Sequence, residues 1–200
     1  FWPLDTPDLE VHIWGPASTT QDLRTRLTRY LSPPLFPVRL RDLPCKLSFH
    51  ETPCDECCIG EFSVQTAMVA HPGPTVGYRI RNSSGVLAYI PEHEPALGAQ
   101  KFPMHPDWTS GFALAADADL LIHDAQYTRA EYLERISWGH SSYEQFVQFA
   151  RLACAKTLVS FHHDPGHTDE MLDRLTEQAA RSAAPAVKMV AGLEGAEFEI

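Results

Sequence analysis

Three stretches of this sequence deliver imidazole or carboxylate at the end of a short apolar run, where a turn begins. They are His71 after "AMVA", Glu92 and His93 after "VLAYIP", and His162 and His163 after "TLVSF". Strand ends along one edge of a sheet can converge on one point, and imidazole with carboxylate is the donor set of zinc, manganese and iron. Asp164 and Asp169 follow closely in "LVSFHHDPGHTDEML" and could hold a ligating ring in one tautomer. The pair His162 and His163 reads as metal-binding or catalytic. His71 reads equally as structural, since the Pro-Gly beside it needs a turn in any case.

Two further signals concern proton transfer. In "WGHSS" Ser141 or Ser142 suits a helix N-cap, so His140 precedes a helix N-terminus, whose partial positive charge should depress its pKa and welcome an anion. In "LIHDAQYT" Asp124, beside His123, could orient a neighbouring imidazole and so help it protonate a leaving oxygen. The isolated His12, His50 and His105 read as surface or hydrogen-bonded histidines.

These residues need elements to position them. Period-two alternation in "LEVHIWGP" (9–16) predicts a strand, and helical spacing of Leu23, Leu27, Tyr30 and Leu31 predicts a helix over 19–31. Residues 38–50 read as strand, loop, strand. Residues 59–70, 76–82 and 85–91 predict an antiparallel meander, the last two strands joined across "NSSG", and 92–111 reads as a long connection of the kind that carries function. Strands over 118–125 and 157–163 alternate with helices over 128–136, 141–155 and 168–183 before a final paired strand. Strand first and alternation later predict an α/β fold, a sheet with helices on its outer face, as a single domain over residues 1–200.

The totals bound the partners. The formal net charge is −10, from 26 acidic and 16 basic residues, which argues against long nucleic acid unless the arginines gather on one face. Arg24, Arg26 and Arg29 are close in sequence, as are Arg39 and Arg41, but both groups are mixed with apolar residues; a small phosphate ester remains compatible. No apolar stretch approaches the roughly 20 residues of a membrane-spanning helix. Five cysteines, three of them crowded into "CDECC" as Cys54, Cys57 and Cys58, point to a reducing cytoplasm. No second pair closes a tetrahedral zinc site around that C-x-x-C, so it reads first as a turn and second as a thiol-based metal or redox module.

The ordered blocks "VAHPGPTVGYRI", "GVLAYIPEHEP", "ADLLIHDAQYTRAEY", "WGHSSYEQFVQFA" and "LVSFHHDPGHTDEML" resemble the metallo-β-lactamase superfamily, in particular its ribonuclease Z-like and phosphodiesterase-like hydrolases. The resemblance implies an αββα sandwich, of which this chain is similar to the C-terminal part. It implies His71 as a ligand of one metal, Glu92 as the carboxylate bridging two, His162 (or His163) as a ligand of the second, and His140 supported by Asp124 near the scissile phosphate. His163 and Asp164 would then stand behind the ligands.

The implied cofactor is a pair of Zn2+ or Mn2+ ions, and the implied activity is hydrolysis of a small phosphodiester. Two departures stand out: Glu92 occupies the position where the family has Asp, which would shift the metal spacing or recruit His93, and the family's His-x-His-x-Asp-His signature is absent from these 200 residues. The expectation is therefore a portion of a longer hydrolase that binds metal weakly alone and works as a homo-oligomer or with a missing N-terminal half. The other reading is a non-catalytic remnant or binding subunit.

Overall fold

The computed structural model describes residues 2–53 and 56–200, apart from the side chains of Trp2 and Pro3. The chain divides into two compact units, Phe1–Cys54 and Asp55–Ile200.

In the first unit β1 (Glu10–Pro16) pairs in parallel with β2 (Lys46–Thr52), from Glu10 opposite Lys46 to Pro16 opposite Thr52. Parallel neighbours need a long crossover, and α1 (Leu23–Tyr30) lies within it. Asp22 caps α1 by accepting from Thr25 N at 2.7 Å, which is why the helix starts later than its apolar spacing alone implies. The first part of 38–50 is a correction to the expected strand: Leu40–Asp42 is a 3-10 turn closed by Asp42 N donating to Arg39 O at 2.9 Å. Leu40 is buried between exposed Arg39 and Arg41, a strand-like alternation too short to pair.

The second unit is a seven-stranded sheet whose spatial order follows the chain. Strands β3 (Cys57–Ile59), β4 (Phe62–Met68), β5 (Val76–Arg81) and β6 (Val86–Ile90) form the antiparallel meander. Asn82 shapes the β5–β6 turn by accepting from Ser84 N and Gly85 N. Strands β7 (Leu120–Asp124), β8 (Thr157–Phe161) and β9 (Lys188–Val190) then add in parallel. Their crossovers contain α2 (Phe112–Ala115), α3 (Arg129–Glu134), α4 (Tyr143–Leu152) and α5 (Asp169–Ala183); α2 was not foreseen in the sequence.

One face of this sheet is closed by helices. Ala88, Ile90, Leu121 and Leu158 meet Phe146 and Phe149 of α4 in a core where each is fully buried. The observed architecture is a mixed α/β sheet with helix-covered core, as expected. Because β4 and β6 both run antiparallel to β5, they point the same way, and β7 and β8 follow β6. The C-terminal ends of β4, β6, β7 and β8 therefore share one edge of the sheet. Among the described residues no helix is long and apolar enough to cross a membrane.

Candidate functional site

That shared edge collects His71, Glu92, Asp124 and His162, each from the turn or strand end that closes its own strand, and His140 joins them from the loop ahead of α4. His71 lies in the β4–β5 turn, where Gly73 N donates to its Nδ1 at 3.2 Å, and its Nε2 is 3.7 Å from Glu92 Oε2. The His140 ring stands edge-on to His71, centroids 5.5 Å apart, and stacks on His162 at 4.8 Å. His162 takes φ 57°, a left-handed conformation uncommon for a side chain of its size. The three groups expected as ligands thus form one arc with His140 between them.

Asp124 is fully buried, and all of its acceptor capacity is used. Oδ1 accepts from Ser141 N at 3.0 Å and Gln126 N at 3.1 Å; Oδ2 accepts from His93 N at 3.3 Å and from His140 Nδ1 at 2.7 Å. A carboxylate has about four lone-pair positions, so although ligand atoms of Asp124, His140 and His162 all lie within 4.8 Å of one another, Asp124 has none left to give a cation. What it offers is orientation of His140, whose Nε2 is left for other work. Of the expected ligands, His71 and Glu92 meet at 3.7 Å, while among the described residues His162 is grouped within 4.8 Å with Asp124 and His140 and not with those two.

The electrostatics follow from this bond. Burial opposes charge on His140, but the hydrogen bond and charge of Asp124, with Glu92 and Glu94 behind, outweigh it and raise the pKa. This corrects the expectation of a pKa depressed by the helix N-terminus: Ser142 caps α4 as expected, but a carboxylate at 2.7 Å from His140 dominates the partial charge of the helix end. Burial pushes Asp124 upward, with His140 and Ser141 working against it.

Glu94 is the site residue that sequence reasoning missed. Fully buried, it accepts from Tyr132 Oη at 2.8 Å and from the backbone N–H groups of Gly98, Ser137 and Gly139 at 3.2, 3.1 and 2.9 Å. It thereby ties the loop after Glu92 to the loop before His140. Burial pushes the Tyr132 hydroxyl up to about 12, so it stays a donor. Gly139, at φ 94°, is needed where it is, because a Cβ there would overlap His71 Cδ2 and Pro72 Cδ. The one signal in the sequence was a third acidic or imidazole residue in "PEHEP".

His93 and His123 turn the other way. They lie fully buried against Phe149, His93 Nδ1 is 2.9 Å from His123 Nε2, and His123 Nδ1 donates to the Asp124 carbonyl at 2.8 Å. His93 is therefore not recruited beside Glu92, and His123 is not the ring that the Asp124 carboxylate orients. Burial lowers both rings, His123 to about 4. His163 also points away from the arc, with Nδ1 3.3 Å from Tyr143 Oη, and Asp164 closes a turn by accepting from Gly166 N. His162 is the member of its pair that faces His140.

The remaining candidates are placed elsewhere. His12 and His50 hydrogen-bond to each other at 2.8 Å and stack with Trp14, and His105 accepts from Asp107 N. Of the "CDECC" thiols, Cys54 lies outside the described residues, and Cys57 and Cys58 belong to β3. Among the described residues they join no group of three metal-binding side chains.

Comparison with known proteins identifies the family. The sequence profile of the beta-lactamase superfamily domain matches residues 4–163. No curated protein sequence matches. Among solved structures, the chain resembles the metallo-beta-lactamase fold protein YhfI from Bacillus subtilis, with TM-score 0.60, 17% identity, and coverage of 90% of this chain and 62% of that one. It resembles the short form of human tRNase Z with TM-score 0.58, 20% identity, 78% of this chain and 61% of that one. It also resembles Zn(2+)-bound PqqB from Methylobacterium extorquens with TM-score 0.62, 16% identity, 96% of this chain and 66% of that one. The chain thus spans less than two thirds of the length of these proteins. A profile matched over most of the sequence, together with a fold shared at these scores, makes this chain a member of the metallo-β-lactamase superfamily.

Proposed function

We propose that this protein acts as a metal-dependent hydrolase of a small phosphodiester, with His71, Glu92 and His162 as metal ligands, His140 as proton donor and Asp124 as the residue that positions it. The observation that carries the reading is the 2.7 Å bond between a saturated, buried Asp124 carboxylate and His140 Nδ1, at the sheet edge where the other three groups arrive. Zinc is favoured over manganese by two imidazoles in the donor set and by the zinc named with PqqB. Two bound ions would supply Lewis acidity and activate water at neutral pH.

The chain's own residues supply the rest. Asp124 fixes the His140 tautomer with the proton on Nδ1, and the raised pKa keeps the ring able to carry a second proton on Nε2 for a departing alkoxide. Glu94 holds the backbone on both sides, so His140 and Glu92 keep their separation. The acidic balance of the chain suits a small diester better than a long polyanion. Three ligands do not close two metal sites, which is why we place the working protein in an assembly, with a second copy or a further segment; the crowded cysteines favour the cytoplasm.

The test pairs metal analysis with hydrolysis of bis(p-nitrophenyl) phosphate by the purified protein in added zinc. His140→Ala should keep its metal while losing about 100-fold or more in rate, and His162→Ala should lose metal. Metal retained in both His71→Ala and His162→Ala would remove the ligand assignment. A second reading, a binding subunit without turnover, is favoured by Glu92 in place of Asp; neither ion nor activity in the parent polypeptide would support it.

A further inference from the structure

Two groups of arginines that are separate in the sequence meet in the first compact unit. Arg24 and Thr28 are one helical turn apart on α1 and Ser32 follows its C-terminal end, while Arg39 precedes the 3-10 turn and Arg41 lies within it. All five line one cleft of about 540 Å³. Buried Leu40 anchors the turn between its two arginines, and the Arg24 guanidinium sits 5.6 Å from the centre of the Phe49 ring, which restrains it while leaving its N–H donors free.

Three carboxylates of this unit already have partners, although the Asp22 charge also acts on Arg24 and Arg26. Asp22 caps α1, Glu51 accepts from Leu23 N, and Asp8 pairs with Lys46. Asp42 lies 3.6 Å from Arg41 Nε on an exposed surface, where such a contact is worth little. Among the described residues Arg24 and Arg39 have no carboxylate within ion-pair distance. The unit as a whole carries as many basic as acidic residues, so the net charge of −10 belongs to the rest of the chain.

We propose that this cleft binds a small molecule carrying two or more phosphoryl groups. Guanidinium forks match phosphate oxygens in pairs, and the cleft is larger than one phosphate requires; the Thr28 and Ser32 hydroxyls already donate to Arg24 O and Arg29 O, so the arginines carry the recognition. Chain segments on both sides supply the charge, which suits a ligand that bridges them. This site is independent of the metal centre and of the hydrolase reading.

The experiment is calorimetric titration of the full chain with inorganic pyrophosphate in a buffer containing EDTA and low salt, which silences metal-dependent binding. One pyrophosphate per chain should bind, more tightly than inorganic phosphate, and the double variant Arg24→Gln/Arg39→Gln should weaken it by about tenfold or more. His162→Ala should bind as the parent does, and circular dichroism of each variant should match. No saturable binding, equal affinity for the two anions, unchanged affinity in the arginine double variant, or loss of binding in His162→Ala would each overturn the proposal.

Discussion

His123 and Asp124 are neighbours on β7, yet they serve opposite regions of the molecule. His123 is fully buried with His93 and Phe149, and Asp124 reaches the sheet edge where His140, His162, His71 and Glu92 meet. Both regions hold paired imidazoles. The difference is the carboxylate: without one, burial drives the His93–His123 pair toward the neutral form, whereas Asp124 raises His140 against the same burial. A histidine cluster becomes a candidate for chemistry through the charge that faces it and the opening it retains.

The contrast breaks most visibly under acid. The unfolded His123 ring takes up a proton near 6.5 and the folded ring only near 4, so the native state binds fewer protons between those values. Stability should be fully present above pH 6.5, fall as pH drops toward 4, and level off below, a loss on the order of 3 kcal/mol from this ring. Urea melts across that range would show it; a flat profile would mean that the buried His123 ring keeps its ordinary protonation.

A smaller effect should come from the strap between the two sides. Glu94→Gln keeps the shape but sets an NH2 group against donors that now share a carboxylate, and should cost about 2 kcal/mol in urea unfolding. If Glu94 also spaces His140 from Glu92, metal uptake weakens in parallel; stability lost with metal affinity intact would reduce Glu94 to scaffolding.

The smallest expected change is at His162. Its left-handed backbone is easy for glycine, so His162→Gly should leave stability within about 1 kcal/mol of the parent while removing metal uptake, measured by equilibrium dialysis. A large destabilisation there would make His162 a packing residue like His123 and erase the distinction.

Much of this was legible before folding. The alternation of "LEVHIWGP", the helical spacing in "SSYEQFVQFARLACA" and the turn at "NSSG" all produced the elements they promised, because periodicity and turn chemistry are local. Residues 38–50 misled because Arg39-Leu40-Arg41 alternates for too few residues to distinguish a strand from a 3-10 turn. Glu94 stayed invisible because its partners come from positions 98, 132, 137 and 139.

The sequence by itself determined which side chains arrive at strand ends and with what chemistry, since composition and period two are written along the chain. Only the tertiary structure decided that His162 rather than His163 faces His140, that Asp124 rather than His123 meets the His140 ring, and that Arg24 and Arg39 line one cleft. Alternation says that neighbours point to opposite faces, but which face is covered depends on helices packed from far along the chain.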